Sequence, residues 1–341
     1  MMKRLTAHLS LAIVTVLLAA PLTAKVYHYI SIDAGGSLGL IPAQLLNDLE
    51  EKTHRPIYQL VDGMIGTSTG SIISSLLSVP SSSEKPYSAA QVVDLYKNQS
   101  HSIFETVLNS YILNSFRKFF DMAPNYDDAN EKYEIYATRL WQNLGISHAY
   151  TNLLILCRDA DSLEPFVFSS EESNHYNLFI RQVVKASVSI ADVFGATELK
   201  FITGETKRFI DTATTDTGKP IITDPTAFLY HQIKSKLKPS DLAVIYSLGT
   251  GYAPTSDETR ELMNIQNRNK PNNISIIRIQ PEVEELAGGP HDSLWMSILA
   301  SDTSPETIYG MTQEAIRLMQ SPEYRQMLAN LKLVPREDRK L

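Results

Sequence analysis

A single cysteine, Cys157, stands among 341 residues, so no intramolecular disulfide is available and stability must come from a hydrophobic core. Cys157 closes the apolar run Asn152–Cys157 and reads as a small buried hydrophobe rather than a reactive thiol. Metal-binding patterns are missing as well. The eight histidines are scattered without an H-E-x-x-H spacing, and no acidic calcium loop occurs, so no metal or other cofactor is implied. Basic residues are outnumbered, 31 against 38 acids, and the net charge of −7 argues against nucleic acid as a partner. No Gly/Ser/Pro-rich linker and no repeat divides the chain, which predicts one domain.

Only one long apolar run is present, and it lies at the start. Lys3 and Arg4 precede Leu9–Ala20, followed by Pro21-Leu22-Thr23-Ala24, the pattern of a secretory leader too short for a bilayer span. The expectation is a signal peptide over 1–24, cleavage after Ala24, and an exported domain over 25–335. An uncleaved anchor is the competing reading. Losing Lys3 and Arg4 leaves a mature chain near −9, with no second run able to cross a membrane. Approach to a lipid surface then rests on apolar side chains, for which Ser110–Phe120 is the candidate, against the alternative of a buried helix edge. Oligomeric state is not legible.

Apolar periodicity predicts an α/β chain. Strands are expected at Val26–Ile32, Met64–Thr67, Asn152–Cys157, Phe166–Phe168, Leu242–Leu248 and Asn273–Ile279. Helices are expected at Ile41–Lys52, Ala89–Lys97, Glu131–Leu144 and Pro305–Met319, and Pro80–Pro86 reads as an exposed loop.

Two short motifs carry chemistry. Gly66-Thr67-Ser68-Thr69-Gly70 joins an apolar approach to the helical run Ser71–Leu77, which is the setting of a nucleophile elbow with Ser68 at its tip. Upstream, the strand Val26–Ile32 meets Asp33-Ala34-Gly35-Gly36-Ser37-Leu38-Gly39 ahead of Pro42. Such a loop cradles anions, but Ala34 breaks the dinucleotide pattern and no P-loop lysine follows. Beside an elbow, the Gly35 and Gly36 amides suit an oxyanion hole.

Together these residues resemble the patatin-like phospholipases, whose pattern is D-G-G-G-x-R/K-G-x-x-P followed by G-T-S-T-G. Lys185-Ala186-Ser187 with Ala191–Phe194, Phe209-Ile210-Asp211 with Asp224-Pro225, Ser247–Gly251 and Arg278-Ile279-Gln280 continue the likeness in order. The resemblance implies a mostly parallel sheet flanked by helices, and hydrolysis of carboxylic esters in lipids at a membrane or micelle surface. It also implies a dyad of Ser68 with Asp211 as base, without histidine, and motif positions at Gly39, Gly66 and Gly70. On residue chemistry alone Asp216 and Asp224 compete with Asp211. Three departures bear on activity: Ala34 and Thr212 stand where the family has glycine, and Leu38 where it usually carries arginine or lysine. A catalytically silent lipid- or protein-binding relative is therefore one alternative. A small-ester hydrolase with a Ser-His-Asp triad through His231 or His291 is the other.

Overall fold

The computed structural model describes residues 24–334 apart from 82–83, 100–104, 108, 111–112, 115–116, 119–121, 215–217, 268–272 and 284–299. Eight strands form one sheet: β1 Val26–Ile32, β2 Gly63–Thr67, β3 Asn152–Asp159, β4 Pro165–Ser169, β5 Thr197–Lys200, β6 Thr206–Ile210, β7 Leu242–Leu248 and β8 Ile274–Ile279. The order is β5-β6-β3-β2-β1-β7-β8, with β4 paired to β3. Its centre, from β3 across β2, β1 and β7 to β8, is parallel, whereas β4, β5 and β6 form an antiparallel extension. The long apolar runs sit in the centre because those strands are covered on both faces.

Helices surround the sheet, among them α1 Leu40–Thr53, α2 Thr69–Leu76, α3 Ala89–Asp94, α4 Asp127–Trp141, α5 Ile180–Val188, α6 Ala191–Phe194, α7 Thr226–Lys236, α8 Asp257–Asn267, α9 Pro305–Leu318 and α10 Pro322–Lys332. A π-helical turn, Leu95–Gln99, continues α3. The strand period divides the core in two. Leu153, Ile155 and Cys157 of β3 pack into the large cluster with α1, α4 and α5, while Leu154 joins Ile245 and Ile276 under Leu229 and Ile233 of α7. Cys157 is buried and free, and burial pushes its thiol pKa well up, as expected for an inert packing residue. Ser304 and Ser321 cap α9 and α10 by accepting the Thr307 and Tyr324 amides, each ahead of a proline in the first turn.

Boundaries depart from the periodicity in places. The helix expected from Glu131 begins at Asp127, where Asp127 and Asp128 complement its N-terminal dipole, and it ends at Trp141 rather than Leu144. The leader through Thr23 and much of Ser110–Phe120 fall outside the described residues. No described helix is long and apolar enough to cross a membrane.

β1 is where the winding reverses. The chain proceeds from β1 to β2 on one side and reaches β7 on the other, so a crevice opens at the carboxyl ends of these strands. All the motif loops meet there.

Candidate active site

Ser68 follows β2 and precedes α2 with φ 52° and ψ −124°, a conformation a non-glycine residue adopts only when its surroundings impose it. The surroundings are specific. Ser68 N–H donates to Ser187 Oγ at 2.9 Å, Ser187 Oγ donates to Leu156 O at 2.7 Å, and the Ser68 carbonyl accepts the Ser71 amide and hydroxyl at 2.9 and 2.6 Å. The glycines let the turn close: a Cβ on Gly66 would lie 2.1 Å from Gly70 O, and one on Gly70 would lie 2.1 Å from Ile32 O of β1. This is a nucleophile elbow in geometry as well as sequence.

The loop after β1 presents two amides. Gly36 has φ 57° and Gly35 φ 155°, and a Cβ on either would meet Ala300 O at 2.1 Å or Thr250 Oγ1 at 2.3 Å. Neighbouring groups are spoken for: Ala34 N–H donates to Thr223 O at 2.8 Å, Thr250 Oγ1 donates to Ala34 O at 2.5 Å, and Ser37 N–H donates to Ala300 O at 2.7 Å. The Gly35 and Gly36 N–H groups donate to nothing among the described residues, nor does the Thr69 N–H that opens α2. Gly39 ends this turn against Thr69, with room for no side chain, a Cβ falling 2.5 Å from Thr69 Oγ1.

Asp211 follows β6 and is fully buried. Its N–H donates to Ser189 O at 2.9 Å and its Oδ1 accepts the Ala213 N–H at 2.8 Å, while Oδ2 makes no hydrogen bond among the described residues. Burial raises its pKa to about 6, against the Ala213 amide and the nearby Ser68 hydroxyl, which hold it down. Ser68 is thus close enough to interact without making a hydrogen bond of good geometry, a common arrangement before substrate binds.

The structure places two of the competitors, Asp224 and His231, apart from Ser68. Asp224 is buried away from Ser68: its carboxylate accepts the Thr226 amide and the Ser256 amide and hydroxyl, at 3.0 to 3.2 Å. Asp216 and His291 lie outside the described residues. His231 is exposed on α7 and paired with Glu258 at 2.9 Å, and no histidine among the described residues lines the site cavity. The triad through His231 is therefore corrected.

The departures have local explanations. Thr212 is not in the left-handed region, so glycine is not needed there. Its hydroxyl lies 2.8 Å from Thr67 Oγ1 and donates to Ile222 O at 2.5 Å, joining the elbow strand to the loop bearing Asp211. Leu38 is a fully buried core residue. Leu38 brings no cation to the loop, but Arg278 of β8, a residue whose role sequence reasoning missed, reaches the residue just before it. Arg278 grips both oxygens of Asp33, directly before the glycine loop, with Nη1 2.9 Å from Oδ1. It also donates to Ser247 Oγ at 2.7 Å and stands 3.7 Å from Asp224. Burial pushes the Asp33 carboxyl above its usual range against the pull of Arg278, whereas Arg278 and the Thr226 contacts outweigh burial at Asp224 and hold it low.

Ser68, Asp211, Gly35 and Gly36 share the wall of one cavity of about 210 Å³. Away from them it is apolar, bounded by Ile72 of α2, Leu95 and Tyr96 of the π-turn, and Tyr133, Ala137 and Trp141 along α4. Tyr96 is tied by its hydroxyl to Thr69 Oγ1, which anchors the π-turn to the elbow. A strained serine, a buried carboxylate and amides with no partner among the described residues meet at the rim of one apolar cavity.

Comparison with known proteins gives the family. The family model described as patatin-like phospholipase matches residues 30–218, and the chain belongs to that family. It is similar to Patatin-like protein 2 of Oryza sativa subsp. indica, 29% identical over 208 residues covering 56% of this chain and 50% of that protein. Patatin-like protein 2 of Arabidopsis thaliana is 30% identical over 162 residues, 44% of this chain and 38% of that protein. The chain thus spans about half the length, or less, of these curated relatives. Among solved structures, VipD from Legionella pneumophila superposes with a TM-score of 0.38 at 12% identity, covering 86% of this chain and 66% of VipD.

Proposed function

We propose that this chain hydrolyses carboxylic ester bonds of lipids, as a phospholipase A or lysophospholipase, with Ser68 as nucleophile and Asp211 as base. The observation that carries the reading is the convergence of Ser68, Asp211 and the Gly35 and Gly36 amides on one apolar cavity. Asp211 takes the Ser68 hydroxyl proton as Oγ attacks the acyl carbonyl, and the Gly35 and Gly36 N–H groups receive the oxyanion. Collapse expels the alcohol, which takes the proton from Asp211, and leaves an acyl-serine. Asp211 then takes a proton from water as it attacks that ester, and protonated Asp211 passes the proton to Ser68 Oγ as the fatty acid departs.

A fluorophosphonate probe tests the assignment. Peptide mapping should find the adduct on Ser68, with none in Ser68→Ala. An adduct on Ser37 or Ser71, or labelling undiminished in Ser68→Ala, would overturn it.

The apolar wall favours a long acyl chain over a small ester. Ala137 sits between Tyr133 and Trp141 on the buried stripe of α4, with almost no exposed surface. Ala137→Trp should fill the cavity and lower kcat/KM for a palmitoyl ester by about tenfold or more, with a smaller loss for a butyryl ester. Equal losses on both would show that the chain lies elsewhere. The reading also includes export of residues 25–335, supported by the leader pattern. N-terminal sequencing of exported protein should begin at Lys25, and an intact membrane-bound leader would replace export with anchoring.

A further inference from the structure

The backbones of the nucleophile and of its base are fastened to one short stretch of chain, the end of α5. Ser187 Oγ accepts the Ser68 N–H at 2.9 Å, and two residues later the Ser189 carbonyl accepts the Asp211 N–H at 2.9 Å. Between them, Val188 lines the cavity, whereas Ser187 does not. Both serines are fully buried, and the Ser189 hydroxyl is itself fixed, donating to Lys185 O at 2.8 Å and lying 2.7 Å from Thr197 Oγ1 of β5. The stretch is thus anchored to the sheet independently of Ser68 and Asp211.

The Ser187 hydroxyl occupies a particular place at the end of β2. Thr67, the last residue of that strand, pairs in parallel register with Leu156 of β3, so the next amide, the Ser68 N–H, is the one that would extend the pairing. It does not reach the strand. Ser187 Oγ stands between, accepting that N–H and donating to the Leu156 carbonyl at 2.7 Å. One oxygen satisfies both groups, because a hydroxyl accepts as well as donates. β2 ends at Thr67, and Ser68 turns into φ 52°, ψ −124° at the cavity wall.

We propose that Ser187 is a positioning residue for the ester hydrolysis: its hydroxyl keeps the Ser68 amide off the Leu156 carbonyl and, with the Ser189 carbonyl, sets the separation of the nucleophile from Asp211. The inference rests on the hydrolase reading and adds to it a residue that acts through Ser68 without touching substrate. Without the hydroxyl, the Ser68 N–H and the Leu156 C=O are left unpaired in the interior, or they close on each other and draw Ser68 out of its strained conformation. Either way the elbow is no longer fixed where the Asp211 carboxylate and the Gly35 and Gly36 amides converge.

Ser187→Ala, Ser187→Cys and Ser78→Ala are compared with wild type below their unfolding transitions. Ser78, just beyond α2, is equally buried and donates to Ser74 O at 2.7 Å, away from the cavity. In Ser187→Ala, kcat on palmitoyl lysophosphatidylcholine and the rate at which a fluorophosphonate labels Ser68 should both fall by about tenfold or more, because a small misplacement of reacting atoms is costly. KM should change less than about twofold, since the apolar wall is untouched. Ser187→Cys keeps the volume with a poorer donor and acceptor; it should lie between, and it carries the test if the alanine variant does not fold. Ser78→Ala should lose stability to a similar extent and keep wild-type kcat. Full kcat and labelling in a folded Ser187 variant, a loss confined to KM, or an equal fall in Ser78→Ala overturns the proposal. If wild type is labelled at Ser68 but turns over no lipid ester, the lipid-hydrolase reading fails and the labelling rates still judge Ser187. If wild type is not labelled at Ser68, both are overturned.

Discussion

Asp211→Asn should lower kcat by 10²-fold or more and, at the same time, make the protein harder to unfold at pH 8. The first effect follows from removing the carboxylate that interacts with Ser68 and is proposed as its base, since general-base catalysis is commonly worth 10² to 10⁴. The second follows from burial. Asp211 has its pKa raised from 3.8 to about 6, so the native state binds this proton more tightly than the unfolded chain does. A raised carboxyl favours the fold when protonated, and that advantage is lost as pH climbs through about 4 to 6. Above this window the ionised group costs about 3 kcal/mol, because burial tightens proton binding roughly a hundredfold and each factor of ten is worth about 1.4 kcal/mol. The amide carries no charge to bury, so urea unfolding should show the variant more stable at pH 8, with the gain vanishing near pH 4. The same perturbed carboxyl sets the pH profile: wild-type kcat/KM should fall below an apparent pKa of about 6 as the base is protonated. Retained kcat in a folded Asp211→Asn, or a profile flat from pH 5 to 8, would remove Asp211 from the mechanism. Loss of activity coupled to gain of stability is the mark of a site held against its own folding preference.

The parts of this site that are local in the chain were legible in the sequence, and the parts that depend on distant pairing were not. Ser68 announces itself because an elbow needs its glycines two residues to either side, and the Gly35-Gly36 loop does so because strand, loop and helix are consecutive. Asp211 was legible only through the family resemblance, since nothing in Arg208–Asp211 shows that β6 will lie antiparallel beside the end of β3. The central strands were marked by apolar runs, whereas β5, with its alternating Thr197-Glu198-Leu199-Lys200, is half-exposed at the sheet edge and leaves little signal. The departures at Leu38 and Thr212 looked like losses because each was compared with its own motif position. What surrounds them is tertiary: Thr212 bonds to Thr67, Leu38 packs in the core, and a distant cation, Arg278, reaches Asp33 before the loop.

That distant cation makes the second large prediction. Arg278 holds Asp33 by two nitrogens from β8, and Asp33 is the residue from which the Ala34-Gly35-Gly36 turn departs. Arg278→Met should leave Asp33 and Asp224 buried without a counter-charge, a change that costs about 3–5 kcal/mol when one partner of a buried pair is removed. Activity should fall further than folding explains, by about 10²-fold in kcat at a temperature where the variant is folded, because amides that drift from the oxyanion no longer stabilise it. Arg278→Lys keeps the charge but not the two-point grip, and should lie between. The readout that separates positioning from mere stability is a pair of inhibitors: a trifluoromethyl ketone, which forms an oxyanion on Ser68, and an ether analogue of the lipid, which does not. If Arg278 positions the loop, affinity for the ketone falls in parallel with kcat while ether binding and KM change little. Equal weakening of both inhibitors, or full kcat in folded Arg278→Met, would make the Asp33–Arg278 pair a structural brace with no part in how the amides meet the transition state.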